Sequence, residues 1–536
     1  MTGISFMESS QQNQVADIIS EPVLPETPHK KHSFLKWLLA SMLVIILLVA
    51  TAWWWLFYFR HFNFGHKGGD IGVLKAAIFE GTMNHFAPAM ESDDATIYVN
   101  RQIFEGLVIF ENKTKIAPNL VTGWTNPNDS TWIFTLKNGV KFHDGNTLKA
   151  QDVVYSFEQL KQNENFSYVT DTIAKVEALS DTQVKFTTKT VDPILLNRLV
   201  DLFIVDSSAN GKVGPEYGTG PYAVKAGTTP TNSHIELSAF DNYHGGHPTT
   251  KGVQVTVYSE DDQDAVTKAF ILGKLNLVAF VPPSAVETAK SLHFQAGYRD
   301  DPAVYQLAFN TNKTGSPLAK LKVRQGIYKT IDVSALLKAI GRDQTGTQSD
   351  QVLSPSIPGY NPDIKRPIMD IGAAKQLLKE AGYPNGFDIT LTVFSAAKDV
   401  GDEIARQLGQ IGIRVKVDSR NDVDGIQKDL EAGKLESFYY AEGTSLLDGS
   451  DAFSKLAQGK NYHNAQIDNL QMQATNTLNP TERLNALKQI SKIMADDVAT
   501  IPLYTNKNQW IMDRAYIMPE DTLVSGLGVY MWKVHL

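Results

Sequence analysis

The chain has 536 residues, of which 43% are hydrophobic and 20% charged, and this composition is typical of a globular protein with two or three domains or lobes. Its formal net charge of −8 argues against a nucleic-acid-binding protein, which would carry a basic surface. The sequence contains no cysteine, which excludes disulfides, thiol catalysis, cysteine-based zinc sites and membrane attachment through a lipidated cysteine.

The first predicted element is a transmembrane anchor at residues 34–59. Residues 37–59 carry no charge, and a helix of that length crosses the roughly 30 Å hydrocarbon core of a bilayer. Lysines are more frequent before the apolar run than after it, a bias that predicts a cytoplasmic N-terminus and an extracytoplasmic body. The triplet at residues 50–52 leaves a cleaved signal peptide as the alternative.

The segments on either side of this anchor have polar compositions. Residues 1–33 are rich in Ser, Gln and Pro and poor in large apolar residues, which predicts a disordered cytoplasmic tail. Residues 60–71 are predicted to form a short linker. The functional body therefore begins at residue 72.

The body alternates strand and helix patterns, which predicts the α/β class. Apolar residues alternate with polar ones over Thr131–Leu136, as in a half-buried strand. The dipeptide Asn138-Gly139 predicts a hairpin turn, with a second strand at residues 140–142. A helix is expected to begin near Thr147.

Later segments follow the same pattern. Asp370 is a good N-cap for an amphipathic helix, and residues 387–394 alternate like a strand. Asn479 and Pro480 are typical of the start of another helix, after which residues 501–504 are predicted to form a short strand.

No catalytic motif is present: the sequence has no nucleophile elbow, phosphate-binding loop, dinucleotide-binding motif or zinc-peptidase helix. His244 and His247 form a close pair in a glycine-rich turn, which fits a metal site less well than a solvated turn. The acidic run at residues 260–264 lacks the calcium-loop pattern and is expected to begin a helix. We therefore expect no enzyme, no cofactor and no metal site, and the remaining class is a binding module.

Residues 103–160 contain, in this order, the pieces IFEGL, PNLVTGW, WIFTLKNGVKFHDG and AQDVVYS. GTGPY follows at 218–222, FDNYHGG at 240–246 and AKQLLKEAGYPNG at 374–386. This ordered set resembles the family 5 solute-binding proteins, which serve importers of oligopeptides, dipeptides, nickel chelates and some sugars. The resemblance covers residues 75–530, nearly the whole body.

The resemblance implies an α/β fold of the periplasmic-binding-protein type, in which two lobes close like a clam on a ligand. An extra domain is inserted in the first lobe, and two crossing strands act as hinges. The expected bounds are 72–110, 206–305 and 508–536 for lobe I, 111–205 for the extra domain, and 306–507 for lobe II.

In peptide-binding members of this family, an acidic residue of lobe II pairs with the free amino group of the ligand. The matching region here is 438–453, where the usual Trp and Pro of the family are missing. Asp448 and Glu442 are the two candidates for the acidic residue, and either could instead be a solvated loop carboxylate.

Four further candidate ligand-binding residues come from the resemblance. Tyr440 and Tyr439 are expected to line the cleft, although buried strand packing accounts for them equally well. Gly81 and Thr82 follow the first strand, where the main chain of family members approaches the ligand.

The resulting hypothesis is a membrane-anchored, extracytoplasmic substrate-binding protein of an ABC importer. It would act as a monomer, capture a peptide and deliver it to the permease subunits, with no nucleic-acid partner. One alternative changes the ligand to a sugar, a metal chelate or another solute. Others are an anchored ligand-sensing domain and a hydrolase on a borrowed fold.

Overall fold

The computed structural model describes residues 72–79, 83, 94–112, 114–210, 214, 217–443, 446–457, 461–519, 523–524 and 528–535. The chain divides into two compact units, Met1–Asn63 and Phe64–Leu536, and all described residues belong to the second. The predicted tail, anchor and linker lie outside the described residues. Within the described part, no helix is both long and apolar enough to cross a membrane.

Strands and helices alternate along the body, as the α/β prediction requires. The strands are β1 (Val73–Phe79), β2 (Val108–Asn112), β3 (Lys115–Pro118), β4 (Val121–Asn128), β5 (Thr131–Leu136), β6 (Ile173–Ser180), β7 (Gln183–Thr188), β8 (Tyr222–Val224), β9 (His234–Ala239), β10 (Gly252–Tyr258), β11 (Leu277–Ala279), β12 (Gln295–Phe309), β13 (Gly346–Gln348), β14 (Asp388–Phe394), β15 (Arg414–Arg420), β16 (Ser437–Glu442), β17 (Thr500–Met512), β18 (Leu523–Val524) and β19 (Gly528–Val529).

The helices confirm the predicted starts at Asp370 and Asn479, whose side chains accept from the backbone N–H groups of Ala373 and Thr481. They are α1 (Asp94–Ile103), α2 (Ala150–Leu160), α3 (Ser167–Thr170), α4 (Leu195–Leu199), α5 (Gln263–Ile271), α6 (Pro283–Ser291), α7 (Leu321–Thr330), α8 (Val333–Ala339), α9 (Ile371–Glu380), α10 (Lys398–Gly409), α11 (Val423–Glu431), α12 (Gly449–Ala457), α13 (Ala465–Thr475) and α14 (Pro480–Asp496).

One mixed sheet organises the body, in the order β15-β14-β16-β12-β17-β11-β1-β10-β9-β8, with β13 paired to β17. Strands β12 and β17 are antiparallel neighbours and run through the middle of the sheet. At 15 and 13 residues, they are long enough to belong to both halves. The short strand predicted at residues 501–504 is therefore the first part of a much longer one.

A separate four-stranded sheet, in the order β4-β5-β7-β6, lies beside helix α2. Its core includes Phe134, Phe157 and Phe186, and apolar contacts continue from it to Phe453 and Leu487 of the later helices. The strand predicted at Thr131–Leu136 is confirmed as β5.

The hairpin predicted after Asn138 is wrong. Strand β5 pairs on its two edges with β4 and β7, so no edge is left for a strand at residues 140–142. Val140 and Phe142 are instead buried in the core, and only an isolated bridge forms at Lys141. Gly139 still makes a turn, with a φ of 76°.

The turn predicted at residues 244–247 is solvated at Gly245, Gly246 and His247, but the His244 side chain points into a buried cluster. The His244 ring nitrogen Nε2 lies 2.9 Å from the Glu105 carboxylate, and both side chains are nearly buried. Tyr243 Oη and Thr219 Oγ1 donate to the same carboxylate at 2.9 and 3.0 Å. Three of the pieces recognised in the sequence therefore meet at one buried hydrogen-bonded cluster, which holds the three segments together.

Candidate functional site

The sheet register brings the C-terminal ends of the parallel strands toward one line across the molecule. Strands β1 and β11 are parallel, as are β14 and β16. On β17, Ala279 pairs with Trp510 and Leu277 with Met512, so β11 ends toward the middle of β17. On β12, Glu442 pairs with Val304 and Ser437 with Phe309, so β16 also ends toward the middle. Ligands of open α/β sheets bind at such carboxyl ends.

A cavity of about 850 Å³ opens at the ends of β14 and β16. This volume is in the range of small-ligand sites, which are about 300–1,000 Å³. Its walls come from β12, β14, β16, the first turn of α10 and the later turns of α11. They include Tyr305, Phe394, Asp399, Tyr439, Tyr440 and Glu442. Apolar and aromatic side chains dominate this lining, with a few charged groups among them.

A group of stacked tyrosine rings lies along one wall of the cavity. Tyr305 stacks on Tyr504 at 4.8 Å between ring centroids and on Tyr439 at 5.9 Å. The hydroxyls of Tyr439 and Tyr504 are 2.5 Å apart. Burial, reinforced by the neighbouring Tyr504, raises the pKa of Tyr439 well above its ordinary value, so the ring stays neutral. The Arg342 guanidinium lies 5.8 Å from the Tyr305 ring centroid.

Tyr440 points to the opposite face of β16, because successive residues of a strand alternate. Its ring lies 5.0 Å from that of Phe438, and both pack beside Ile426 and Leu430 of α11. Burial raises the pKa of Tyr440 strongly, and the nearby Glu442 raises it further. This face provides an apolar wall with one phenolic hydroxyl.

Glu442 is the last residue of β16 and lies on the same face as Tyr440. It is only 8% exposed, and its Oε1 lies 3.5 Å from the Lys455 Nζ. Burial raises the pKa of Glu442 to about 7, with Lys455 opposing the shift and Asp451 adding to it. A buried carboxyl that titrates near neutral pH and lines a cavity can accept a cationic group from a ligand.

Asp448 lies outside the lining of this cavity. Its carboxylate accepts from both terminal nitrogens of Arg483, one of them at 2.9 Å. The backbone N–H and the hydroxyl of Ser450 donate to it at 2.9 and 2.7 Å. These contacts join the start of α12 to α14, and they occupy the acceptor sites that a ligand would need.

The structure thus brings three of the six candidates together: Glu442, Tyr440 and Tyr439 line one cavity, and Asp448 does not. Gly81 and Thr82 lie outside the described residues. Tyr305 and Arg342 were missed. Tyr305 alternates with Leu307 and Phe309 along β12 and therefore looks like a core residue, whereas Arg342 lies in a turn after α8.

One residue of unusual backbone conformation lies at the carboxyl end of β11, in the half of the main sheet that contains β1, β10 and β11. Phe280 follows β11 directly, has a φ of 61° and is 37% exposed. A left-handed conformation is costly for an aromatic residue and often occurs at ligand-binding sites. No cluster of three His, Asp or Glu residues that could hold a metal ion occurs among the residues described.

A family model described as bacterial extracellular solute-binding proteins, family 5 Middle, matches residues 115–464. The chain belongs to this family. Its members are solute-binding proteins of ABC importers, which are transport proteins rather than enzymes.

Two curated relatives and one solved structure illustrate the range of the family. Glutathione-binding protein GsiB of Escherichia coli K12 is 27% identical over 457 residues, covering 78% of this chain and 86% of the relative. Heme-binding protein A of Haemophilus influenzae is 27% identical over 494 residues, covering 81% and 85%. DppA of Helicobacter pylori in complex with the peptide STSA aligns with a TM-score of 0.67 at 23% identity, covering 87% and 98%.

Proposed function

We propose that this family 5 protein is a membrane-anchored binding protein that captures short peptides and delivers them to the permease of an ABC importer. One observation carries the proposal: a buried carboxyl, Glu442, lies in an aromatic cavity at the carboxyl end of β16. A peptide supplies an ammonium group for the carboxyl and apolar side chains for the tyrosine walls.

The two halves of the main sheet act as the lobes. We assign 72–110, 206–305 and 508–536 to lobe I, 306–507 to lobe II and 111–205 to the extra domain. The long strands β12 and β17 are the hinges, because they pair with each other while β17 also pairs with β11 and β12 also pairs with β16. Closure about these strands would cover the cavity, and the permease would respond to the closed form.

Glu442 is our candidate for the residue that binds the ligand's amino group, supported by Tyr440 and Tyr439 as cavity walls. Asp448 remains the second candidate, but its contacts with Arg483 and Ser450 make it a poorer acceptor for a ligand. Gly81 and Thr82 are proposed to contribute backbone groups from lobe I.

The anchor at 34–59 is proposed from the sequence alone. With no cysteine to carry a lipid, a retained helix is the means by which the protein stays beside its permease. The body acts as a monomer on the extracytoplasmic side. Fractionation of cells followed by N-terminal sequencing tests this point, since cleavage after Ala52 would release the body.

The test of the ligand class uses the purified full chain in detergent. Mass spectrometry of what co-purifies identifies the ligand, and calorimetry with a panel of short peptides with free termini measures affinity. We expect a co-purifying peptide and saturable peptide binding. A non-peptide solute in the mass spectrum, together with no peptide binding, would instead support the solute-binding or sensing alternatives.

A further inference from the structure

A surface with exposed apolar and basic side chains lies around the start of β1. It is at the N-terminal ends of the parallel strands, opposite the carboxyl ends where the candidate site lies. We call it the entry face, and it comprises Leu272, Leu292, Ile517, Lys251 and Lys274. The three apolar side chains are 59%, 40% and 52% exposed. Both lysines are exposed as well.

Hydrogen bonds place these loops together at the first residues of the body. The backbone N–H of Asn276, two residues after Lys274, donates to the Lys75 carbonyl, and the backbone N–H of Asp513 donates to the Asn276 carbonyl. The Tyr516 hydroxyl, one residue before Ile517, donates to the Val73 carbonyl at 3.2 Å.

The remaining two loops reach the same point. Gln295, three residues after Leu292, donates through its side chain to the Tyr516 carbonyl. The Lys251 side chain packs against Gly72. The entry face therefore surrounds the point at which the chain enters the body.

The charge along α5 changes sign between the two edges of the sheet. Its N-terminal end follows β10 and lies at the candidate-site edge, where Asp261, Asp262 and Asp264 are exposed. The opposite end leads through Lys268 to Lys274 at the entry face. This basic character contrasts with the net charge of −8 of the whole chain.

We propose that the entry face lies on an anionic lipid surface, and this inference rests on the proposed membrane anchor. Residues 60–72 separate the apolar run from β1, and so many residues span at most about 45 Å even when fully extended. The start of β1 is therefore confined near the bilayer, so that weak contacts suffice. Exposed Leu and Ile side chains enter the interface, and lysines attract anionic headgroups.

The orientation has a functional consequence. Because the entry face and the carboxyl ends of the strands lie at opposite edges of the first half of the sheet, contact of this face with lipid directs the ligand cavity away from the bilayer. In this resting orientation the cavity would be open to solute. The protein would then reorient when it meets the permease.

The test exploits the absence of cysteine in the sequence, which makes single-cysteine labelling specific. The full chain is reconstituted in vesicles that contain phosphatidylglycerol and brominated phosphatidylcholine, with a fluorophore at Leu272→Cys or Leu292→Cys. Matched controls carry the fluorophore at Val423→Cys or Met472→Cys, which are exposed apolar positions elsewhere, at 59% and 58%.

We expect the brominated lipid to quench the labels at 272 and 292 but not those at 423 and 472. Lys251→Glu combined with Lys274→Glu should reduce that quenching, as should vesicles without phosphatidylglycerol. Equal quenching at all four positions would overturn the inference. Loss of the chain from the vesicles in a high-salt wash would contradict the anchor itself, whereas calorimetry of peptide binding tests the ligand proposal independently.

Discussion

Two buried carboxylates six residues apart, Glu442 and Asp448, have opposite surroundings. Asp448 is paired with both terminal nitrogens of Arg483 and accepts two further hydrogen bonds from Ser450. Of the residues that the structure describes, only Lys455, whose side chain is 44% exposed, comes within 4.0 Å of the Glu442 carboxylate as a basic partner. Both carboxylates are buried, and their difference in unused acceptor capacity is the reason for proposing Glu442 rather than Asp448 as the ligand-binding group.

The first prediction tests the structural role of Asp448 by removing its charge. Breaking a buried ion pair on one side costs about 3–5 kcal/mol, because the other charge stays buried without compensation. Asp448→Asn should therefore lower the free energy of unfolding by about that amount in urea denaturation. Asp451→Asn, which removes a nearby carboxylate paired with half-exposed Lys455, is the control and should cost far less. An equal loss in both variants would contradict a structural role for Asp448.

The second prediction concerns the pH dependence of stability. The pKa of Glu442 rises on folding from an ordinary 4.5 to about 7. The folded state therefore holds the proton more tightly, so this group favours folding below pH 4.5 and loses that contribution as pH rises through 7. Each unit of pKa shift corresponds to about 1.4 kcal/mol. Glu442→Gln should flatten the decline in unfolding free energy between these pH values, and an unchanged slope would show that another group titrates there.

The third prediction is the pH dependence of peptide binding. A ligand ammonium group binds the ionised form of Glu442, so affinity should fall as pH drops below about 7 and the carboxyl becomes protonated. The loss approaches about tenfold per pH unit for a single linked proton. Calorimetry in buffers of different ionisation enthalpy should show proton release on binding near pH 6. Proton uptake, or pH-independent affinity, would exclude this linkage.

The smallest expected effect concerns the tyrosines that line the same cavity. Tyr439→Phe removes the hydroxyl that pairs with Tyr504 and should cost about 1 kcal/mol of unfolding free energy. Tyr504→Phe should cost a similar amount, and the double variant little more than either single one, because both changes delete the same hydrogen bond. Additive losses in the double variant would mean that the two hydroxyls have separate partners.

Much of the fold could be predicted from local sequence signals. The caps at Asp370 and Asn479 and the alternation in Thr131–Leu136 depend on neighbouring residues, and the structure confirms them. The helix expected near Thr147 begins three residues later, at Ala150. The hairpin after Asn138 failed because β7, distant in sequence, takes the edge of β5 that a local hairpin needs.

The site could be predicted only in part. The resemblance located the region 438–453, but local sequence offered nothing to separate Glu442 from Asp448. Arg483, which pairs with Asp448, lies 35 residues further along the chain, so its proximity depends on how α12 packs on α14. Tyr305 was missed for a similar reason, since its partner Tyr439 comes from a distant strand.

The most direct test of the central claim, that Glu442 and not Asp448 binds the ligand amino group, combines substitution with acetylation of the peptide. Calorimetry compares free and N-acetylated peptide on the natural protein, on Glu442→Gln and on Asp448→Asn. Acetylation and Glu442→Gln should each weaken binding at least about tenfold, equal to about 1.4 kcal/mol, and their effects should not add. Acetylation should still weaken binding fully in Asp448→Asn; if acetylation instead has no effect there and keeps its full effect in Glu442→Gln, the assignment is reversed and the account is wrong.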